Sequence, residues 1–189
     1  MEEESNGEKV MLYVYDISQG MARQMSLAVI GKQIDGIWHT NVAVYGEEHY
    51  FGGGVMRSKI GETRWGPYPV QKIELGETHI PKDVMEEYLD DLRDRYSMVS
   101  YDILDNNCNH FSADLVQFLT GRSIPDYIEK QVDEVIATPL GRAIVPLLRT
   151  VQHQVTNNVA DVPGTRLPQG NAAPLAGGGV PPPPWTCPA

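Results

Sequence analysis

A chain of 189 residues with 41% hydrophobic and 21% charged side chains has the makings of one globular core; it is too short for two and too apolar for a disordered chain. No apolar run reaches the roughly 18 residues of a membrane-spanning helix. Fifteen basic against twenty-five acidic side chains leave a net charge of −10, which repels phosphate backbones and anionic lipid, so neither nucleic acid nor a membrane surface is an expected partner.

The chain opens MEEESNGEKV, with glutamates where a secretory leader has a basic and then an apolar stretch; the expected location is the cytoplasm, with the nucleus as a second compartment. Residues 10–17, VMLYVYDI, are β-branched and aromatic and predict a strand buried on both faces. Residues 20–30, with Met21, Met25, Leu27 and Val29, predict a short helix. Two strand-like runs follow, 38–45 and 49–51, joined by Gly46, Glu47 and Glu48 at hairpin length, and Gly52, Gly53 and Gly54 end the second. Residues 70–75 predict a further strand with Lys72 and Glu74 on one face. The clearest helix is 80–96: Pro81 suits its first turn, and Val84, Met85, Tyr88, Leu89, Leu92 and Tyr96 form one apolar stripe.

A second amphipathic helix is predicted over 106–119, with Phe111, Leu115, Phe118 and Leu119 inward and Gly121 at its C-terminal stop. Two shorter helices are expected after Pro125 and Pro139. The fold class is therefore α+β, a small antiparallel sheet packed with helices. Residues 151–189 hold Pro163, Pro168, Pro174, Pro181 to Pro184 and Pro188, a Gly177 to Gly179 run and only Asp161 and Arg166 as charges. The expected organisation is a domain over 8–150 and a disordered Pro/Gly-rich tail over 151–189, whose Pro181 to Pro184 run suits a groove of the SH3 or WW type.

Only Cys108 and Cys187 are present, so no disulfide framework holds the fold. Cys108 follows Asn106 and Asn107, both good N-caps, which puts it in the first turn of a helix. There the helix dipole favours thiolate, and free N–H groups could hold an oxyanion; a small buried hydrophobe is the alternative reading. A nucleophilic cysteine needs a base. His110 lies two residues along the helix and faces away. His153 is in the tail, His79 approaches the Pro81 helix, and His49 follows two glutamates and reads as solvated. His39, in an apolar strand, is the favoured base, with a core histidine bonded to a carbonyl as the alternative. Cys108-x-His110 lacks zinc spacing and the glycine run lacks a following Lys-Ser/Thr, so no metal and no cofactor are expected.

Tyr13 to Ile17, Gly36 to Thr40, Tyr50 to Gly54, Asn107 to Ser112, Gln117 to Arg122 and Ile124-Pro125, in that order, resemble the PPPDE family of cysteine peptidases, closest to its desumoylating isopeptidase branch. The resemblance implies a circularly permuted papain-like fold with the histidine strand before the cysteine helix, and it puts the catalytic pair on His39 and Cys108. It further implies a dyad with no well-defined third carboxylate or amide, a homodimer, and SUMO-conjugated or ubiquitin-conjugated proteins as substrates. The same dyad could cleave an S-acyl thioester, and a binding module acting through the tail is a second alternative.

Overall fold

The computed structural model describes residues 7–160. Five strands form one antiparallel sheet in the order β4-β3-β2-β1-β5: β1 (Glu8–Asp16), β2 (Trp38–Val44), β3 (Glu47–Phe51), β4 (Val55–Lys59) and β5 (Gln71–Thr78). The helices are α1 (Met21–Ile30), α2 (Lys82–Asp91), α3 (Cys108–Thr120), α4 (Asp126–Glu129), α5 (Gln131–Ile136) and α6 (Pro139–Ala160).

Strand alternation sorts the side chains onto two faces with different chemistry. Leu12 and Val14 of β1, Val42 and Val44 of β2 and Phe51 of β3 face the helices and pack with Met85, Leu89, Phe111 and Leu115. Tyr13 and Tyr15 of β1 and Ala43 of β2 face the other way, together with Trp65 from the β4–β5 connection. His39 and Asn41 share that second face with Ala43, because they too occupy odd positions of β2. Buried on both sides, β1 lies between β2 and β5 as its composition predicts.

Four expectations need correction. The hairpin turn is Tyr45-Gly46 alone, both at positive φ (52° and 75°), the primed turn that matches strand twist, so Glu47 and Glu48 belong to β3. His49 is then fully buried rather than solvated, and neither ring nitrogen has a hydrogen-bond partner among the described residues. The Pro81 helix ends at Asp91, with Pro81 as its N-cap, and the chain goes on through turns to the buried Tyr96. The last helix is long and reaches Ala160, so residues 151–160, expected to open the disordered tail, are helical. Residues 161–189, with Cys187 and the proline run, lie outside the described residues.

Candidate active site

Asn107 caps α3 and sets the position of Cys108 at its first residue. The Asn107 side chain accepts from the N–H of Asn109 (2.9 Å) and of His110 (3.3 Å), while His110 Nδ1 accepts the Asn107 N–H at 3.1 Å. His110 is thus committed to a capping box, in keeping with a ring that faces away from the cysteine. The cap also takes two of the N–H groups expected to serve an oxyanion. The N–H of Cys108 itself has no acceptor earlier in the helix and is directed at its own sulfur, beside which an oxyanion would form.

Helix α3 is locked onto β2 at the histidine. Asn109 Nδ2 donates to the Trp38 carbonyl (3.1 Å), and Thr40 Oγ1 donates to Asn109 Oδ1 (2.9 Å) and is hydrogen-bonded to the Ser112 hydroxyl (2.8 Å). These contacts straddle His39. The backbone N–H groups of Thr40, Asn109 and Cys108 act on the Cys108 sulfur and favour its charged form. From the far side, Gln131 on α5 holds the entrance to β2: its Oε1 accepts the Trp38 N–H (3.0 Å) and its Nε2 donates to the Gly36 carbonyl (2.8 Å).

His39 is 4% exposed and stacks on Trp65, with ring centroids 3.6 Å apart at 24°. Its Nε2 lies 2.9 Å from Asn41 Oδ1. The resemblance implies no well-defined third carboxylate or amide, whereas here an amide does engage the imidazole, two residues along the same strand and face. Asn41 Nδ2 in turn donates to Glu48 Oε2 at 2.7 Å. Neither residue was singled out from the sequence. The spacing from His39 to Asn41 was a usable signal, whereas the pairing that buries Glu48 was not legible locally.

Electrostatics departs from the expected thiolate. Burial pushes the Cys108 thiol up to about 11, outweighing the backbone donors around the sulfur, and the thiol is aimed at Asn109 Oδ1 3.8 Å away. Burial also holds His39 down at about 3 against the opposing pull of the Asn41 hydrogen bond, with Arg64 adding to the depression. The resting pair is therefore neutral thiol and neutral imidazole. The glycine run flanks it: Gly52 abuts the Tyr50 and Trp65 rings, and Gly53, at φ 104°, lies beside Met98. A side chain at Gly53 would be strained as well as close to Met98.

The sequence that builds this site also matches known proteins. Residues 8–149 fit the family described as "PPPDE putative peptidase domain". The chain belongs to the PPPDE peptidase family. Among curated relatives, "Desumoylating isopeptidase 1" of Xenopus laevis is 46% identical over 147 residues, covering 77% of this chain and 86% of the relative. The Homo sapiens protein of the same name is 43% identical over the same length, covering 77% and 87%. "DeSI-like protein sdu1" of Schizosaccharomyces pombe is 26% identical over 161 residues, covering 82% and 76%. PPPDE membership makes the chain a peptidase-type hydrolase with isopeptidase relatives. Among the described residues no group of three His, Cys, Asp or Glu side chains is arranged to hold a metal, and no helix is long and apolar enough to cross a membrane.

Proposed function

We propose that this protein hydrolyses the isopeptide bond between the C-terminal glycine of SUMO and a lysine of a target protein, with Cys108 as nucleophile and His39 as general base. The observation that carries the reading is α3, opened by Cys108, tied through Asn109 to Trp38 and Thr40 on either side of His39, an imidazole whose Nε2 is engaged by Asn41. The names of the relatives supply the modifier.

Because both partners rest uncharged, proton transfer accompanies attack instead of preceding it. His39 Nδ1 takes the thiol proton as the sulfur bonds to the glycine carbonyl carbon, and the oxyanion forms against the Cys108 N–H. Protonated His39 gives that proton to the departing lysine amine, leaving a thioester. Neutral His39 then deprotonates a water that attacks the thioester, and the tetrahedral intermediate releases the sulfur, which recovers the proton from His39. Asn41 Oδ1 holds the ring through each transfer, and Trp65 keeps water from the His39–Asn41 hydrogen bond. No step needs a cofactor. Facing Tyr50 and Trp65, the glycine run suits a modifier tail that ends in Gly-Gly and has no side chains to admit. The resemblance adds ubiquitin conjugates as a second substrate class, a homodimer, and action in the cytoplasm and nucleus to the proposal.

The test uses full-length protein with SUMO and ubiquitin carrying C-terminal electrophiles, beside an acyl-thioester reporter. SUMO is expected to label Cys108. Cys108→Ser should abolish labelling and Cys187→Ser should leave it intact, while His39→Ala should slow turnover by about 10² to 10⁴. Turnover of the acyl thioester alone, or equal loss from both cysteine variants, would refute the reading.

A further inference from the structure

Glu48 takes no part in the reaction just described, yet three donors converge on its fully buried carboxylate. Its Oε1 accepts the Gly61 N–H at 2.8 Å, and its Oε2 accepts both the Tyr15 hydroxyl at 2.9 Å and Asn41 Nδ2 at 2.7 Å. We propose that Glu48 is a positioning residue that fixes the tautomer of His39 by fixing the amide of Asn41. The inference rests on the reading of His39 as general base.

The argument is one of donors and acceptors. The Gly61 N–H is backbone and can only donate. An oxygen that already accepts from Tyr15 leaves Asn41 only its NH₂ to present. Asn41 must then turn Oδ1 toward His39, and Oδ1 can only accept, so the imidazole proton has to sit on Nε2. Nδ1 is left with the lone pair that receives the thiol proton. Through Gly61 the same carboxylate also tethers the segment that lays Trp65 over the imidazole.

Glu48→Gln inverts this logic at nearly constant shape. The introduced amide must keep its oxygen on the Gly61 N–H, which places its NH₂ where Oε2 was. The Tyr15 hydroxyl can reverse to accept, but Asn41 has to flip, present its own NH₂ to His39 Nε2 and drive the ring proton to Nδ1. Adding Asn41→Asp restores the original order, because the introduced carboxylate accepts from the amide on one side and from Nε2–H on the other.

The experiment records the ring-nitrogen correlations of His39 in full-length, ¹⁵N-histidine-labelled protein by NMR, with kcat and KM for a fluorogenic SUMO conjugate measured on the same samples. Wild type is expected to carry Nε2–H. Glu48→Gln should carry Nδ1–H, with kcat down by about 10² or more and KM within a few-fold; a wrong tautomer costs a serine-protease triad about 10⁴. The Glu48→Gln/Asn41→Asp double variant should regain Nε2–H and most of kcat, a recovery that a merely structural carboxylate would not give. Nδ1–H in wild type overturns the proposal whether or not any variant folds, and so does a Glu48→Gln protein that keeps Nε2–H. A tautomer that moves while kcat stays supports the hold of Glu48 on the ring and refutes His39 as base.

Discussion

The resting protonation of Cys108 decides how the thiol reacts with anything other than substrate. Burial raises it from 9.0 to about 11, two pH units or about 3 kcal/mol against the thiolate. At pH 7 the thiolate fraction is then about 10⁻⁴, where an unshifted thiol would have about 10⁻². The sign follows directly: Cys108 is uncharged below its raised value and gains reactivity only as pH climbs toward it. His39, held down at about 3, is neutral across the same range and offers the thiolate no positive partner. The assay is iodoacetamide alkylation of Cys187→Ser protein, followed by mass spectrometry from pH 5 to pH 10. The logarithm of the rate should climb by about one per pH unit over the whole interval, so that the slope carries the test and steric hindrance cancels. The same neutral thiol should resist peroxide, which also reacts with thiolate. An alkylation rate at pH 6 within a few-fold of that at pH 9 would mean a preformed thiolate–imidazolium pair and would refute the reasoning.

Two further expectations follow from the same geometry. The depressed His39 value makes its contribution to stability complete above pH 6.5 and lost as pH falls toward about 3, with about 2 kcal/mol gone by pH 5; urea unfolding of His39→Gln should therefore lose less stability between pH 7 and 5 than wild type by that amount, and parallel pH dependences would contradict it. Removing the cap by Asn107→Ala should cost about 1 kcal/mol, and a cycle with His110→Ala should be non-additive, since each residue bonds the other's backbone N–H; additive losses in thermal unfolding would show that the reciprocal cap is not functioning.

What the sequence could reveal was local. The N-cap before Cys108, the isolation of His110 and the strand that carries His39 all depend on a few adjacent residues and on helical or strand periodicity, and the structure has each of these three features. Asn41 was within the same reach, because two positions from His39 on one face is a spacing that strand periodicity makes legible. Glu48 and His49 were misread because two glutamates beside a glycine look like a solvated turn. The turn instead closes on Tyr45-Gly46, and pairing buries Glu48 and His49. Strand β4, Val55–Lys59, is a mostly exposed edge with Arg57 and Lys59 and has no alternation to betray it. The disorder expected from 151 followed total proline content, yet residues 151–160 hold neither proline nor glycine, so nothing in them stops α6.

The two-residue turn at Tyr45-Gly46 has a consequence for which changes this enzyme can tolerate. Val42 faces His49 and Ala43 faces Glu48, so Asn41 and Glu48 stand diagonally on one face only in this register. One residue added to the turn would rotate β3 by half a pleat, sending Glu48 into the apolar layer under the helices and bringing His49 to the imidazole. Point substitutions in the hairpin can be graded by size and polarity, but insertions and deletions cannot, because each exchanges one set of side chains for the other. Natural variation in this hairpin is therefore expected to keep its length fixed while its residues drift, and a graft of the site onto another scaffold must carry the turn with it.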